Sequence, residues 1–495
     1  MKVEGKEARK EKKSIMIAGT TSNAGKTALT TALCRILSKM GYRVAPFKAQ
    51  NMSLNSYVTR EGKEIAIAQA IQARAAGIEP DERMNPILLK PKGNFVSQLV
   101  VLGEVVGDVS SRQYYSMIDR LRKVVEKAYR ELSDEYDLIL IEGAGGIAEI
   151  NLYDRDLANI GMARMAKPAI IVTADIDRGG VFASLYGTYL LLPPDVRELV
   201  MGFVINRLRG RADILESGIR KLEELTGVKV LGVIPYTESV VSEDSLCIDE
   251  WSDGGDEKVV GILKLSKISN FTDFEPIRDV SRFVSLKDEL DGLRVLVIPG
   301  SKDTLLDLKA IKDSGMDEKI KRFSKNNVVI GICGGYQMLG KELVDHGVEH
   351  GRLRVKGLGL LNTETEFRLY RKNCYQVERR AIGSAEIVKD VKGTVRGYEI
   401  HKGVTRVSGN YVFENLSGLD EGASKANEKF EGCESESGLV WGTYTHALFW
   451  NECVVNALSR YLGVMIRFSD FNNRIENFSK VVENALNIEA ILEKV

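Results

Sequence analysis

The chain has few of the features that organise disulfide scaffolds, zinc fingers and membrane anchors. Its 6 cysteines, spread over 495 residues, form no Cys-x-x-Cys pair and keep no regular spacing. That argues against a disulfide framework or a zinc site and fits a reducing cytoplasm. No apolar run reaches the length needed to span a bilayer, so no membrane partner is expected. Charge of one sign is missing too, since 69 Lys and Arg balance 69 Asp and Glu. A chain without net charge has no strong field to attract nucleic acid or an anionic membrane surface. Internal repeats and low-complexity tracts are absent.

What the chain does contain is alternation. Short apolar, β-branched runs at 15–18, 43–47, 138–141, 169–172 and 202–205 are separated by stretches of helical spacing such as 117–132. Runs of this kind predict a parallel sheet covered by helices on both faces, an α/β fold. At this length two or more domains are expected. The first series closes with the run at 230–235, and a polar, acidic stretch without clear period follows. A second α/β series starts at 259–263 and continues through 295–298 and 328–330. The expected organisation is a charged leader over 1–13, a first domain over 14–237, a linker over 238–257 and a second domain over 258–495.

The most informative stretch is Gly331-Ile332-Cys333-Gly334-Gly335-Tyr336-Gln337, which follows a buried-strand pattern. The glycines permit a tight strand-to-helix turn with Cys333 at its apex. A helix N-terminus stabilises a thiolate, and the amide of Gly334 would face a developing oxyanion. This is nucleophile-elbow geometry with sulfur in place of oxygen. A thiol needs a base within hydrogen-bond reach, and His446, ending the run Trp441-Gly442-Thr443-Tyr444-Thr445, is the best placed. His346, His350 and His401 are the alternatives. The turn at Pro299-Gly300-Ser301-Lys302 could complete the oxyanion hole through Gly300.

A second reactive site is written near the other end. Gly19-Thr20-Thr21-Ser22-Asn23-Ala24-Gly25-Lys26-Thr27 stands between an apolar strand and an amphipathic helix. Strand, glycine-rich loop, Lys-Thr and helix make a phosphate cradle. Loop amides and the helix dipole bind phosphate, Lys26 neutralises it, and Thr27 offers a hydroxyl to Mg2+. Gly19, Thr20, Asn23 and Gly25 shape the loop. Its long spacing resembles that of dethiobiotin synthetase and its relatives.

Acids at strand ends supply the rest of this site, because ligands bind at the carboxyl ends of strands in such sheets. Glu142 ends the run at 138–141 and can reach a magnesium held by Thr27. Glu64 is either a second acid near that ion or an exposed residue opening a helix. Asp175 and Asp177 either line an acceptor site or form a turn. Asn206 carries the donor and acceptor suited to a purine edge.

Longer motifs then narrow the reading. Pro46-Phe47-Lys48-Ala49-Gln50-Asn51-Met52, Met84-Asn85-Pro86-Ile87-Leu88-Leu89-Lys90-Pro91, Ile268-Ser269-Asn270-Phe271-Thr272-Asp273-Phe274, Pro299-Gly300-Ser301-Lys302 and Gly397-Tyr398-Glu399-Ile400-His401 together resemble the cobyric acid synthase family of glutamine-dependent amidotransferases. The resemblance covers nearly all the chain beyond the leader. It implies a dethiobiotin-synthetase-like ATP-dependent amide synthase domain followed by a class I glutamine amidotransferase-like domain. It also implies ATP and Mg2+ as cofactors, with glutamine and a corrinoid as small-molecule substrates. Cys333 would attack the glutamine amide and His446 would move the protons. Lys26, Lys48 and magnesium would neutralise the phosphoryl group passed to a corrinoid carboxylate. Loops around Gln50 and Asn51, and from Asp175 onward, would line the acceptor cleft. Many Cys-type glutaminases place a glutamate two positions after the histidine. Leu448 stands there in this chain, so no residue is identified that orients His446. The alternatives are a related amidotransferase, such as a cobyrinic acid a,c-diamide synthase, and a partitioning-type P-loop ATPase. The motif at 48–52 speaks against the first; a fused domain with Cys333 and His446 speaks against the second.

Overall fold

The computed structural model describes residues 13–93, 95–237, 251, 258–349, 351–368, 372–416 and 429–494. The expected leader and linker therefore lie outside the described residues, apart from Lys13 and Trp251.

Six strands of the first domain form one parallel sheet. They are β1 (Lys13–Gly19), β2 (Val44–Phe47), β3 (Leu138–Glu142), β4 (Ala169–Asp175), β5 (Val200–Leu208) and β6 (Lys229–Pro235), in the order β6-β5-β4-β1-β3-β2. Successive side chains of a strand point to opposite faces, and the cores follow that period. Met16, Ala18, Ile139 and Ile141 pack into one cluster. Ile15, Ile17, Leu138 and Leu140 pack into another on the opposite face. Strand order reverses beside β1: the chain leaves through α1 (Lys26–Lys39) for β2 on one side, and later returns to β4 on the other. A crevice at the carboxyl ends of the strands is the consequence, and the glycine-rich loop opens into it.

The second domain repeats the principle with β7 (Val260–Leu263), β8 (Ser281–Val284), β9 (Val295–Ile298), β10 (Val328–Ile332), β11 (Cys433–Glu434) and β12 (Val440–Thr443), in the order β8-β7-β9-β10-β12-β11. All neighbours are parallel except the β11–β12 pair. Short α2 (Gly334–Leu339) follows β10 directly. Two additional antiparallel or mixed sheets are inserted between α2 and β12, one of them carrying the strand Thr394–His401.

Two features depart from the expected organisation. The first domain carries a small sheet of Gln50–Met52, Ile87–Gly93, Val96–Val101 and Glu104–Ser110, and a hairpin of Ser56–Val58 with Glu64–Ala66. The hairpin's Tyr57, Val58 and Ile65 share one apolar cluster with Tyr398 and Ile400, so it forms an interface with the second domain. The chain's final helices also break the boundary placed at 258–495. In α3 (Phe471–Ala485), Ile475, Phe478 and Val482 join the core beneath α1. Glu476 pairs there with Arg35 at 3.1 Å and with Lys39. The amphipathic face of α3 is buried against the first domain, which is where its free energy of burial is gained.

Candidate active sites

At the glycine-rich loop, local chemistry sets the geometry. Gly25 has φ 94°, and a Cβ there would lie 1.9 Å from Asn206 Nδ2, so only glycine fits. A Cβ on Gly19 would come within 2.9 Å of Lys26 Nζ. Asn23 holds a left-handed φ of 60°. Lys26 Nζ donates to the carbonyls of Thr21 at 2.9 Å and Gly145 at 2.7 Å, which curls the ammonium over the loop. Thr20 is tied to β4 through its N–H on the Thr173 carbonyl at 3.0 Å.

Glu142 is the buried centre of this site, with no exposed surface. Its Oε1 accepts from Thr27 Oγ1 and from Lys48 Nζ, each at 2.8 Å. Its Oε2 accepts from Gln72 at 2.5 Å and from Gln69 at 3.5 Å. The Thr27 hydroxyl and the Glu142 carboxylate are hard oxygen donors beside one another, a set that fits a magnesium ion bound together with phosphate oxygens.

Glu64 does not join them. Its Oε1 accepts from Lys90 at 2.6 Å and its Oε2 from Lys372 of the second domain at 2.6 Å. Both the metal-side role and the exposed helix start are therefore corrected: the residue is 1% exposed and forms an interdomain ion cluster. Burial alone would raise its carboxyl, but Lys372 and Lys90 hold it well below the usual carboxylate range. Asn206, expected at a purine edge, lies against the phosphate loop. Its Nδ2 donates to the Ala24 carbonyl at 3.1 Å and its Oδ1 accepts from the Arg207 N–H at 2.9 Å, so the amide buttresses the phosphate loop.

Of the expected acceptor residues, Gln50 and Asn51 lie on the strand Gln50–Met52, Asp175 is the last residue of β4, and Asp177 is in the turn after it. Asp175 ends β4, is 7% exposed, and pairs with Arg207 at 3.2 Å and Arg178 at 3.5 Å. Asp177 pairs with Arg209 at 2.8 Å, whose guanidinium lies 3.5 Å over the Tyr236 ring. Gln50 accepts from the Tyr114 hydroxyl, and Asn51 donates to Gln69 Oε1 at 3.4 Å.

In the second domain, Cys333 has φ 52° and ψ −107°, a conformation costly for a residue with a side chain. Close packing enforces it. A Cβ on Gly335 would fall 1.9 Å from the Ile298 carbonyl oxygen, and one on Gly331 would fall 2.7 Å from Tyr336 Cα. The turn is also anchored by the Cys333 N–H on the Thr443 carbonyl at 2.8 Å. The thiol points towards the Ile400 carbonyl at 3.4 Å and lines the same cavity as His446. Both Gly300 and Gly334 border this point. A Cβ on Gly300 would lie 3.1 Å from His446 Cε1, and one on Gly334 would lie 2.8 Å from the Ser301 N–H nitrogen.

The partner that orients His446 is Asp273. His446 Nδ1 lies 2.7 Å from Asp273 Oδ2, and Asp273 Oδ1 accepts from the Ala447 N–H at 2.9 Å. Burial alone would lower the imidazole; Asp273 and Cys333 outweigh it by charge and hydrogen bonding, and raise it to about 10. An imidazolium so held can stabilise an adjacent thiolate and deliver a proton to a leaving amine. Sequence reading missed this acid, although the 268–274 motif contained it. The available signal was an aspartate between Phe271 and Phe274, two large side chains that are fully buried.

His401 is a neighbour of different kind. Its Nδ1 faces the Gly403 carbonyl at 2.7 Å and its Nε2 faces Glu399 at 2.9 Å. Its ring stacks on Tyr444 with centroids 3.7 Å apart. His346 is exposed, and His350 lies outside the described residues. The cavity over Cys333 draws walls from both domains: Lys90 comes from the first, and Lys302, Lys372 and Lys402 from the second. Among the described residues, no helix is long and apolar enough to cross a membrane.

Comparison with known proteins agrees with this two-part arrangement. Residues 15–245 match the CobQ/CobB/MinD/ParA nucleotide binding domain, and residues 259–454 match the CobB/CobQ-like glutamine amidotransferase domain. A probable cobyric acid synthase of Archaeoglobus fulgidus is 62% identical over 457 residues, covering 92% of this chain and 94% of its relative. One from Methanosarcina mazei is 48% identical over 98% of this chain and 99% of its own. One from Methanococcoides burtonii is 51% identical over 91% of this chain and 89% of its own.

Proposed function

The chain belongs to the cobyric acid synthase family, and from that membership we propose that it amidates the b, d, e and g carboxylates of cobyrinic acid a,c-diamide, adenosylated or not. Nitrogen comes from glutamine and the driving force from ATP. In the second domain, Cys333 Sγ attacks the side-chain amide carbon of glutamine. The C–N bond breaks, His446 gives its proton to the departing ammonia, and a thioester remains. Water then cleaves the thioester to glutamate, its proton passing to His446. The backbone at Gly334 and Gly300 faces the oxyanion formed at each stage.

In the first domain the loop from Gly19 to Gly25 seats the triphosphate of ATP, with Lys26 against its transferring end. Thr27 and Glu142 would hold magnesium, which supplies neutralisation of phosphoryl charge. A substrate carboxylate is ionised at neutral pH and needs no protein base. It attacks the γ-phosphorus, ADP leaves, and ammonia displaces phosphate from the acyl phosphate to give the amide. Lys48 stands on Glu142 and adds a cation to the same end of the sheet. Gln50, Asn51 and the loop from Asp175 to Gly180 line the corrinoid cleft. The free thiols of Cys34, Cys333, Cys374, Cys433 and Cys453 suit work in a reducing cytoplasm.

The observation that carries this reading is the cavity over Cys333, which takes Lys90 of the ATP domain into its wall. One chain thus joins an amide-cleaving array to a phosphate cradle. Incubation with cobyrinic acid a,c-diamide, ATP, Mg2+ and glutamine, followed by mass spectrometry, tests it. Successive replacements of hydroxyl by amino group, up to the hexa-amide, are expected. An unchanged corrinoid would refute it.

A further inference from the structure

Asp273 lies near the start of a short 3-10 segment, Phe271–Val280, that contains Pro276 and a non-helical Ile277. Such a segment has little intrinsic rigidity. Its lead-in, Asn270, is held in the left-handed region at φ 54° and ψ 40° while only 2% exposed. The second domain holds this turn through Trp450, whose Nε1 donates to the Thr272 carbonyl at 2.9 Å, but the groups that fix its lead-in include two residues of the first domain, Asn55 and Ser56. Phe271 N–H donates to Asn55 Oδ1 at 3.1 Å. Asn270 Nδ2 donates to the Ser56 carbonyl at 2.8 Å, and Ser56 N–H donates to Asn270 Oδ1 at 3.3 Å. The same Asn270 amide donates to the Tyr398 hydroxyl at 2.9 Å. Asn55 is itself fixed by its N–H on Ser53 Oγ at 3.0 Å and is 2% exposed.

The contacts of Asn55 and Ser56 with Phe271 and Asn270 reach across 214 to 216 residues of sequence and end within three residues of the acid that orients His446. We propose that Asn55, a residue of the ATP domain, is a positioning residue for amide hydrolysis: by capping the Phe271 N–H it fixes the turn that sets Asp273 against His446. This inference rests on the reading that Cys333, His446 and Asp273 hydrolyse glutamine. Removing the Asn55 oxygen leaves a buried N–H without its acceptor, and the turn must shift to regain one. A shift of about 1 Å is enough to spoil an oriented catalytic group by on the order of 100-fold. Hydrolysis then depends on the seating of the first domain's segment 51–56. That segment also carries Asn51, which is linked through Gln69 to Glu142.

The test uses the full chain and compares Asn55→Leu, Asn55→Asp and Cys333→Ser for glutamine-dependent and ammonium-dependent amidation. Asn55→Leu is expected to lower kcat with glutamine by about 10- to 100-fold, with KM within about twofold. The alkaline limb of its kcat/KM profile should move to lower pH as Asp273 loosens from His446. Ammonium-dependent synthesis should stay within about twofold, and Asn55→Asp, which keeps an acceptor oxygen, should recover most of kcat. If Asn55→Leu keeps the wild-type kcat and pH profile while Cys333→Ser is dead, the inference falls and the glutaminase reading stands. Equal loss of both nitrogen sources without recovery in Asn55→Asp would reduce Asn55 to a packing residue and also overturn it. Glutamine-dependent activity surviving in Cys333→Ser would sink the underlying reading itself.

Discussion

His446 Nδ1 lies 2.7 Å from Asp273 Oδ2, across 173 residues of sequence. The acid therefore reaches the histidine from a segment between β7 and β8, not from the two residues that follow His446. Leu448, in the position where a glutamate was looked for, is instead a fully buried core residue.

Replacing Asp273 by Asn removes the charge that holds His446 protonated. Glutamine hydrolysis should fall by at least about 100-fold, while ammonium-dependent amidation persists. Initial rates with each nitrogen source decide the matter; a glutaminase rate within a few-fold of wild type would rule out the orienting role.

The same pair predicts a pH dependence of stability. His446 is raised in the folded chain from 6.5 to about 10. Its contribution is therefore complete below the unfolded value and is lost as pH climbs towards 10. Between these limits the native state binds more protons than the unfolded state, so stability falls with rising pH. Denaturation midpoints of wild type and Asp273→Asn should be furthest apart near pH 6 and converge towards pH 10. Parallel curves over that range would contradict the coupling.

Cys333→Ser should end glutamine-dependent synthesis and spare synthesis from ammonium salts, because the two sites make and use ammonia separately. The measurement is amide formation with each nitrogen source. Use of glutamine at near wild-type rate would remove Cys333 from the nucleophile's role.

Lys26→Ala should abolish synthesis from both sources, since either one needs the acyl phosphate. A phosphate clamp of this kind is worth about 3 kcal/mol of barrier or more, roughly a 100-fold loss. Undiminished ammonium-dependent ATP turnover in the folded variant would displace Lys26 from the phosphate site.

Glu64→Gln should destabilise the chain by about 3–5 kcal/mol, because it leaves Lys90 and Lys372 buried without their carboxylate. Those side chains are 4% and 7% exposed against 0% for Glu64. Urea midpoints give the answer, and Glu64→Gln combined with Lys90→Met should regain part of the loss. An unchanged midpoint in the single variant would show that the cluster carries no stability.

The amino-acid sequence alone determined the features written in consecutive residues. Alternating apolar runs specify buried parallel strands, because strand burial follows a short local period. The glycines around Cys333 and Lys26 specify two tight strand-to-helix turns, because positive φ and close backbone approach are properties of single positions. What only the tertiary structure decided are the meetings of distant segments. Asp273 finds His446, Glu64 turns to Lys90 and Lys372, Asn206 turns to the phosphate loop, and α3 returns to the first domain. Local marks exist for some of these meetings, such as the aspartate between Phe271 and Phe274 and the amphipathic period of α3, but none of the marks names the distant partner. Each depends on which surfaces two separately folded layers bury against one another, and burial is what forces an isolated carboxylate or amide to take the nearest partner.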